Sequence, residues 1–229
     1  MSKVDLRLDW CSYEAAKFAV EHWHYSQVMP AGKIVKIGVW ENGRFIGCVL
    51  YGRGANNSIG GPYGLNQDQV CELVRIALTK HESSVSKIGA ISIKMLKKQS
   101  PDLRLIVSYA DPNHNHAGGI YQAMNWLYCG KSENWKGSHY IVEGKLMHGR
   151  SVRSKWGSDK NSPVEWSYAG DMSKHKYLFP LDDAMRKQIE PLRKPYPKRD
   201  SGEIDNAPQT NAETGGASPT ESLSLEGIK

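Results

Sequence analysis

No stretch of the sequence approaches the roughly 20 consecutive apolar residues of a membrane-spanning helix, and the N-terminus carries no apolar core of a secretory leader. These absences exclude a membrane enzyme and lead to the expectation of a cytoplasmic protein. Cysteine is scarce. Cys11, Cys48, Cys71 and Cys129 are the four in 229 residues, far apart and without the close pairs of a disulfide framework or a structural zinc site, so reduced thiols are expected. Cys71 has no identifiable base partner and reads as a buried, inert thiol rather than a nucleophile. Also missing are a Walker phosphate loop, the HxE and PCxxC signature of nucleobase deaminases, and any internal repeat.

Charge is present in both signs but unevenly spread. Lys and Arg number 30 against 24 Asp and Glu, a net +6 with a pI near 9.0. Residues 201–229 hold five acids and one lysine, a net −4, which leaves +10 on the first 200. A basic chain of this size fits a polyanionic partner. The acidic tail is rich in Ser, Gly, Thr and Asn and has no aromatic residue, so burial cannot offset its ordering entropy and disorder is expected. One α/β domain over residues 1–200, with the tail outside it, is the expected organisation.

The coarse order is strand, helix, hairpin, strand, helix, strand, helix, strand. Val4, Leu6, Leu8 and Trp10 alternate with charged residues as in a half-buried strand. Ser12 can cap a helix carrying Tyr13, Ala16, Val20 and Trp23 on one face and ending near Pro30. IVKIGVW and RFIGCVLY flank Asn42 and Gly43, which suit a type I′ hairpin. CELVRIAL reads as an apolar strand with Glu72 and Arg75 as exceptions. Val85, Ile88, Ile91, Ser92, Met95 and Leu96 mark a helical face, and LRLIVSYA another strand, so the helix serves as a parallel crossover in a mixed sheet. IYQAMNW then reads as a short helix, WLYCG as a strand stub and HYIVEGKLMHG as a hairpin around Glu143 and Gly144. Between Trp156 and Tyr177 no period stands out, and Leu181 to Leu192 is a short amphipathic helix.

Chemistry-bearing residues gather in two places. His22, His24 and Tyr25 stand at the end of the first helix. Ser108, Tyr109 and Asp111 stand at the carboxyl end of an apolar strand, where α/β folds place ligands. His114, Asn115, His116, Gly118 and Gly119 follow as a polar rim, and Tyr121 can point back from the next helix. Asp111 can accept a proton, position a water or simply cap the next segment. Tyr121 can donate to developing oxyanion charge, stack on a base or be a core phenol.

Arg75 within a strand needs an anionic partner if buried. Glu72, three residues away, faces the opposite side unless a bulge changes the register. His22, His24, His114 and His116 have the ligand chemistry for a transition metal, but no compact motif joins them. Trp126, Trp135 and Trp166 are as readily core as stacking platforms.

The glycine-rich loop after Gly52 offers N–H groups and Arg53 to phosphates, with an ordinary surface loop as the alternative, and GRSVRSKWG with Arg150, Arg153, Lys155 and Trp156 offers phosphate contact with aromatic stacking. SKHKY and LRKPYPKR add Lys174, Lys176, Arg193, Lys194, Lys198 and Arg199. A merely solvated basic face is the alternative.

The blocks LDWCSYEAAKFAVEHWHYS, KIGVWENGRFIGCVLYGRGAN, ELVRIALTKH and SYADPNHNHAGGIYQAMNW, with KPYPKR, resemble the phage Mom DNA-modification proteins over nearly all of residues 5–199. The resemblance implies a fold related to the Gcn5-like N-acetyltransferases. It also implies modification of adenine at N6 with a carbamoylmethyl group in phage DNA, protecting it from host restriction. By residue matching it places functional roles on His24, Tyr25, Arg75, Asp111 and Tyr121, with Ser108 beside them.

Its implied partners are double-stranded DNA and a small-molecule or carrier-bound donor, acetyl-coenzyme A or another acyl donor. That superfamily usually binds coenzyme A on a Gly-rich turn before the central helix. Here the junction reads TKHESSVSKIGA, which leaves backbone N–H groups, Lys80 and Ser84 as phosphate candidates. A small-molecule or protein N-acyltransferase of the same fold, or a DNA-binding protein without chemistry, are the other functions compatible with the sequence.

Overall fold

The structure, a computed structural model, describes residues 4–54, 58–114, 116–133, 139–157 and 166–197. Lys198, Arg199 and the acidic tail lie outside the described residues, as do the side chains of Arg150 and Trp166.

Strand β1 (Leu6–Trp10) turns Leu6 and Leu8 toward the core and leaves Trp10 exposed. Helix α1 (Tyr13–Trp23) starts where Ser12 Oγ accepts the Ala15 N–H at 3.1 Å. Its buried face is Ala16, Ala19 and Val20, packed on Cys48, Leu50 and Ala77, while Tyr13 is 52% exposed. The small residues let the helix lie close to the sheet, so the bulky Tyr13 expected on that face is excluded from it. The helix also ends seven residues before Pro30. His24 adopts an extended conformation while its N–H still bonds the Val20 carbonyl, which carries the following residues off the helix axis.

Strands β2 (Ile34–Glu41) and β3 (Arg44–Gly52) pair through Asn42 and Gly43, both at positive φ as a type I′ turn requires. Strand β4 (Val70–Leu78) is antiparallel to β3. Helix α2 (Val85–Gln99) crosses over to β5 (Leu105–Ala110), which runs parallel to β4. On α2, Ile88, Gly89, Ser92, Ile93 and Leu96 are buried, with Ile93 rather than Ile91 completing the face.

After the short helix α3 (Gly119–Ala123) and β6 (Leu127–Lys131), a separate sheet forms in the order β8-β7-β9, from β7 (His139–Val142), β8 (Lys145–His148) and β9 (Trp166–Tyr168). Helix α4 (Gly149–Trp156) packs Val152 on its Tyr140 and Val142. Strand β10 (His175–Pro180) then returns to the main sheet between β5 and β6, giving the order β1-β2-β3-β4-β5-β10-β6. The sheet is therefore mixed, with helices packed against it. Helix α5 (Asp183–Ile189) follows, its cap Asp182 gripped by Arg104 at 2.8 and 3.1 Å. No helix among the described residues is long and apolar enough to cross a membrane.

Helix α2 is tied to the sheet by a buried polar chain. Ser92 Oγ lies 2.8 Å from the Gly89 carbonyl and 2.7 Å from Tyr51 Oη. A carbonyl only accepts, so Ser92 donates to it and receives the Tyr51 proton. Ser92→Ala leaves the buried Tyr51 hydroxyl unpaired and is expected to destabilise the fold by about 1–2 kcal/mol in urea unfolding. Tyr51→Phe added to that variant should cost nothing further.

Candidate active site

Strands β4 and β5 pair only from Val70 with Leu105 to Glu72 with Val107, although they continue to Leu78 and Ala110. Their carboxyl ends separate beyond that point. Ser108 Oγ bonds the Leu73 carbonyl at 2.8 Å there, taking over a backbone group that the ladder no longer satisfies. On its other side β4 carries a bulge, since Tyr51 faces Leu73 and Leu50 faces Arg75, with Val74 as the extra residue. The bulge restores Glu72 and Arg75 to one side of the strand, the exception to a regular two-residue period.

The separation opens into a cavity of about 560 Å³ whose lining includes His24, Tyr25, Arg75, Asp111, His116 and Tyr121. This lies within the range of about 300–1,000 Å³ typical of small-ligand sites. Gly118 makes the approach of α3 possible. It sits at φ +82, and a Cβ there would collide with the Tyr177 ring.

Tyr121 rests against Trp126 and Tyr177, with ring centroids 5.0 and 4.9 Å away. Its hydroxyl lies 2.7 Å from Ser108 Oγ. Because Ser108 gives its single proton to Leu73, Tyr121 donates to Ser108 and keeps its lone pairs for the cavity. Burial pushes the phenol up to about 12, so it stays neutral.

Asp111 is 6% exposed. One oxygen meets Lys174 Nζ at 3.0 Å and the other accepts the Asn113 N–H at 3.0 Å. Burial alone would raise its pKa, but Lys174, the Asn113 N–H and the nearby His114 outweigh that and hold the carboxyl below the usual range.

His24 accepts the Ser26 N–H at Nδ1 over 3.1 Å, and Ser26 Oγ is 2.8 Å from the same nitrogen. A nitrogen that accepts a backbone N–H carries no proton itself, so the neutral ring holds its proton on Nε2. Burial first, then the charges of Arg75, His116 and His114, push its pKa down to about 3. Tyr25, 42% exposed, stacks at the mouth against His24, His114 and His116 at 4.3, 4.5 and 5.2 Å. Arg75 bonds the Val74 carbonyl through Nη1 at 2.7 Å, while its buried Nε has no hydrogen-bond partner.

Other residues singled out in the sequence lie elsewhere. His22 turns away, bonding the Phe18 carbonyl and stacking on its ring. Among the described residues no group of three or more His, Cys, Asp or Glu is placed to hold a metal ion. Arg153 and Lys155 are exposed on α4, with Lys155 Nζ 4.7 Å from the Trp156 ring. Lys176 lies over Tyr63 at 5.1 Å, Arg193 is paired with Glu190, and Lys194 covers Gly130. Arg53 is exposed at the end of β3, and Trp126 is core.

Lys80 is exposed and Ser84 caps α2 by accepting the Lys87 N–H. The N–H groups just before that cap are already taken. Glu41, 5% exposed, accepts from Glu82 at 3.0 Å and from Ser83 at 2.6 Å. This loop does not fit the diphosphate of coenzyme A. Neither Lys174 on Asp111 nor Glu41 on the α2 loop had a local signal in the sequence, because each partner is distant along the chain.

A mixed α/β sheet whose parallel strand ends part onto a cavity lined by a carboxylate, a guanidinium, histidines and phenols has the architecture of an enzyme's ligand site. Among solved structures the chain is similar to FeeM, an N-acyl amino acid synthase from uncultured soil microbes, at 12% identity and TM-score 0.44, covering 81% of this chain and 94% of that one. It is likewise similar to Arabidopsis thaliana NAA60 in complex with a bisubstrate analogue, at 12% identity and TM-score 0.44, covering 78% and 100%. In sequence it is 24% identical over 206 residues to the Methylcarbamoylase mom of Escherichia phage Mu, covering 85% of this chain and 84% of that protein. The Mom protein family model matches residues 5–198. The chain belongs to the Mom protein family and is a transferase of that DNA-modifying type.

The His24 geometry has a measurable consequence. Its folded pKa of about 3 lies below the unfolded value of about 6.5, so between these the unfolded chain binds a proton that the folded chain does not. This contribution is complete above pH 6.5 and lost as pH falls toward 3. Melting temperatures measured over that window should fall less steeply for His24→Gln than for wild type.

Proposed function

We propose that the chain converts adenine in DNA to N6-carbamoylmethyladenine, using the cavity at the parting of β4 and β5. The supporting observation is that Asp111, Tyr121, His24 and Arg75 line one cavity, with room for a base and with hydrogen-bonding groups of both kinds. The amino group of adenine inside a duplex is inaccessible to such a site, so the base leaves the stack to react. Tyr25, exposed among its histidines at the mouth, supplies an aromatic face for the extruded base. Basic side chains such as Arg53, Arg153 and Lys155 engage the phosphates of double-stranded DNA.

In the reaction a bond forms between N6 and the methylene carbon of the donor, the donor's leaving group departs and N6 loses one proton. Tyr121 Oη and Asp111 accept from the N6 hydrogens and turn the lone pair toward the donor. The attacking nitrogen becomes cationic and strongly acidic, so a carboxylate held below its usual pKa suffices to take the proton. His24, with its proton on Nε2, and Arg75 serve as donors to the oxygen or leaving group on which negative charge develops. Lys174 and Asn113 keep Asp111 in place.

Nucleoside mass analysis of DNA from cells expressing the chain tests this directly. Wild type should yield deoxyadenosine carrying one carbamoylmethyl group in place of a hydrogen. Asp111→Asn and Tyr121→Phe should each lower the yield by about 100-fold, the scale of a lost acid–base partner. Undiminished product in both variants would remove these residues from the reaction.

A further inference from the structure

A donor bearing a nucleotide diphosphate is commonly anchored by backbone N–H groups at the start of a helix, where the aligned peptide dipoles favour negative charge. In this chain the helix that follows β4 is α2, and its first turn faces the cavity through Val85 and Ser86. The two consecutive N–H groups ahead of its cap, on Glu82 and Ser83, point at Glu41. They meet its two oxygens at 3.0 and 2.6 Å.

Glu41 is no mobile surface acid. It ends β2, paired in register with Leu6 on one side and Arg44 on the other, and is 5% exposed. Its pKa is lowered: burial alone would raise it, but hydrogen bonds from residues 82 and 83 and the nearby His81 outweigh that. The loop that approaches it, Thr79 to Ser84, contains no glycine, and Glu82 adds a second carboxylate, exposed beside the first. An entering diphosphate would have to displace a buried anion and then sit beside two negative charges. Both effects oppose it.

We propose that Glu41 is a built-in anion occupying the seat where a nucleotide donor would place its diphosphate, so the group donor is a molecule without a coenzyme A-type diphosphate handle. The inference rests on the transferase reading and narrows its second substrate. The carboxylate does for α2 what a bound diphosphate would do, satisfying the loop N–H groups in advance. The donor is then held inside the cavity, where Arg75 presents a buried, unpartnered Nε.

The test titrates the purified full-length chain with coenzyme A and with inorganic pyrophosphate, by calorimetry and by shift in melting temperature. Wild type should show no saturable binding of either below millimolar concentration. Glu41→Ala, which empties the seat, should bind pyrophosphate at least tenfold more tightly than wild type. Glu41→Gln keeps the side chain's size and one of its two acceptors, so it retains one loop hydrogen bond while removing the charge, and should show the same direction of change.

Micromolar binding of coenzyme A to wild type would overturn the proposal. So would folded Glu41 variants that bind pyrophosphate no better than wild type. If neither variant folds, the wild-type titration decides alone. Nucleoside mass analysis separates this from the function itself: modified adenine made by a chain that ignores coenzyme A supports both, whereas absence of any modified base fails the function and leaves the titration result standing.

Discussion

The site depends on two parallel strands that stop pairing after Glu72 and Val107. Every ladder bond given up there exposes a backbone group that must be satisfied again or left for a ligand. Ser108 answers part of that demand by bonding the Leu73 carbonyl, and in doing so it fixes the proton order of the Tyr121 hydroxyl beside it. The bulge at Val74 acts on the same strand from the other edge, turning Arg75 to the side of Glu72. Sheet topology thus accounts both for the space and for two of the groups that line it, Arg75 and Tyr121.

A second theme is that charge in this site is settled internally before any substrate arrives. Asp111 is held by Lys174 and Asn113, the loop ahead of α2 by Glu41, and the His24 tautomer by Ser26. In the reaction proposed above, such prior arrangement removes reorganisation from the step where a preorganised dipole is worth most. It also divides the basic residues into two populations. Lys174 and Lys176 are half-buried against Asp111 and Tyr63, whereas Arg53, Arg153, Lys155, Arg193 and Lys194 are exposed, Lys155 over the Trp156 ring and Arg193 paired with Glu190.

Much of the architecture was legible where a residue's structural demand is local. Asn42 with Gly43 and Glu143 with Gly144 take the positive φ values their hairpins need, and Ser12 caps the helix expected of it. Strand β10 was not legible. HKYLFP is a short insert whose partners β5 and β6 lie far back in the chain, and no period within six residues announces a central strand. The end of α1 was misplaced for a related reason, since the hydrogen bond from Ser26 to the His24 ring, rather than Pro30, draws the chain out of the helix. Residue chemistry at the carboxyl end of an apolar strand pointed to Asp111 and Tyr121, but the restraint of Asp111 by Lys174 depends on a strand pairing that no local pattern contains.

All of this converges on one spatial claim, that an extruded adenine sits in the parting of β4 and β5. The most direct measurement is a crystal structure of the chain bound to an adenine-containing DNA duplex. The account predicts one adenine out of the helix, its N6 within hydrogen-bond distance of Tyr121 Oη and the Asp111 carboxylate. A complex in which every adenine stays stacked and the cavity holds no base would contradict it.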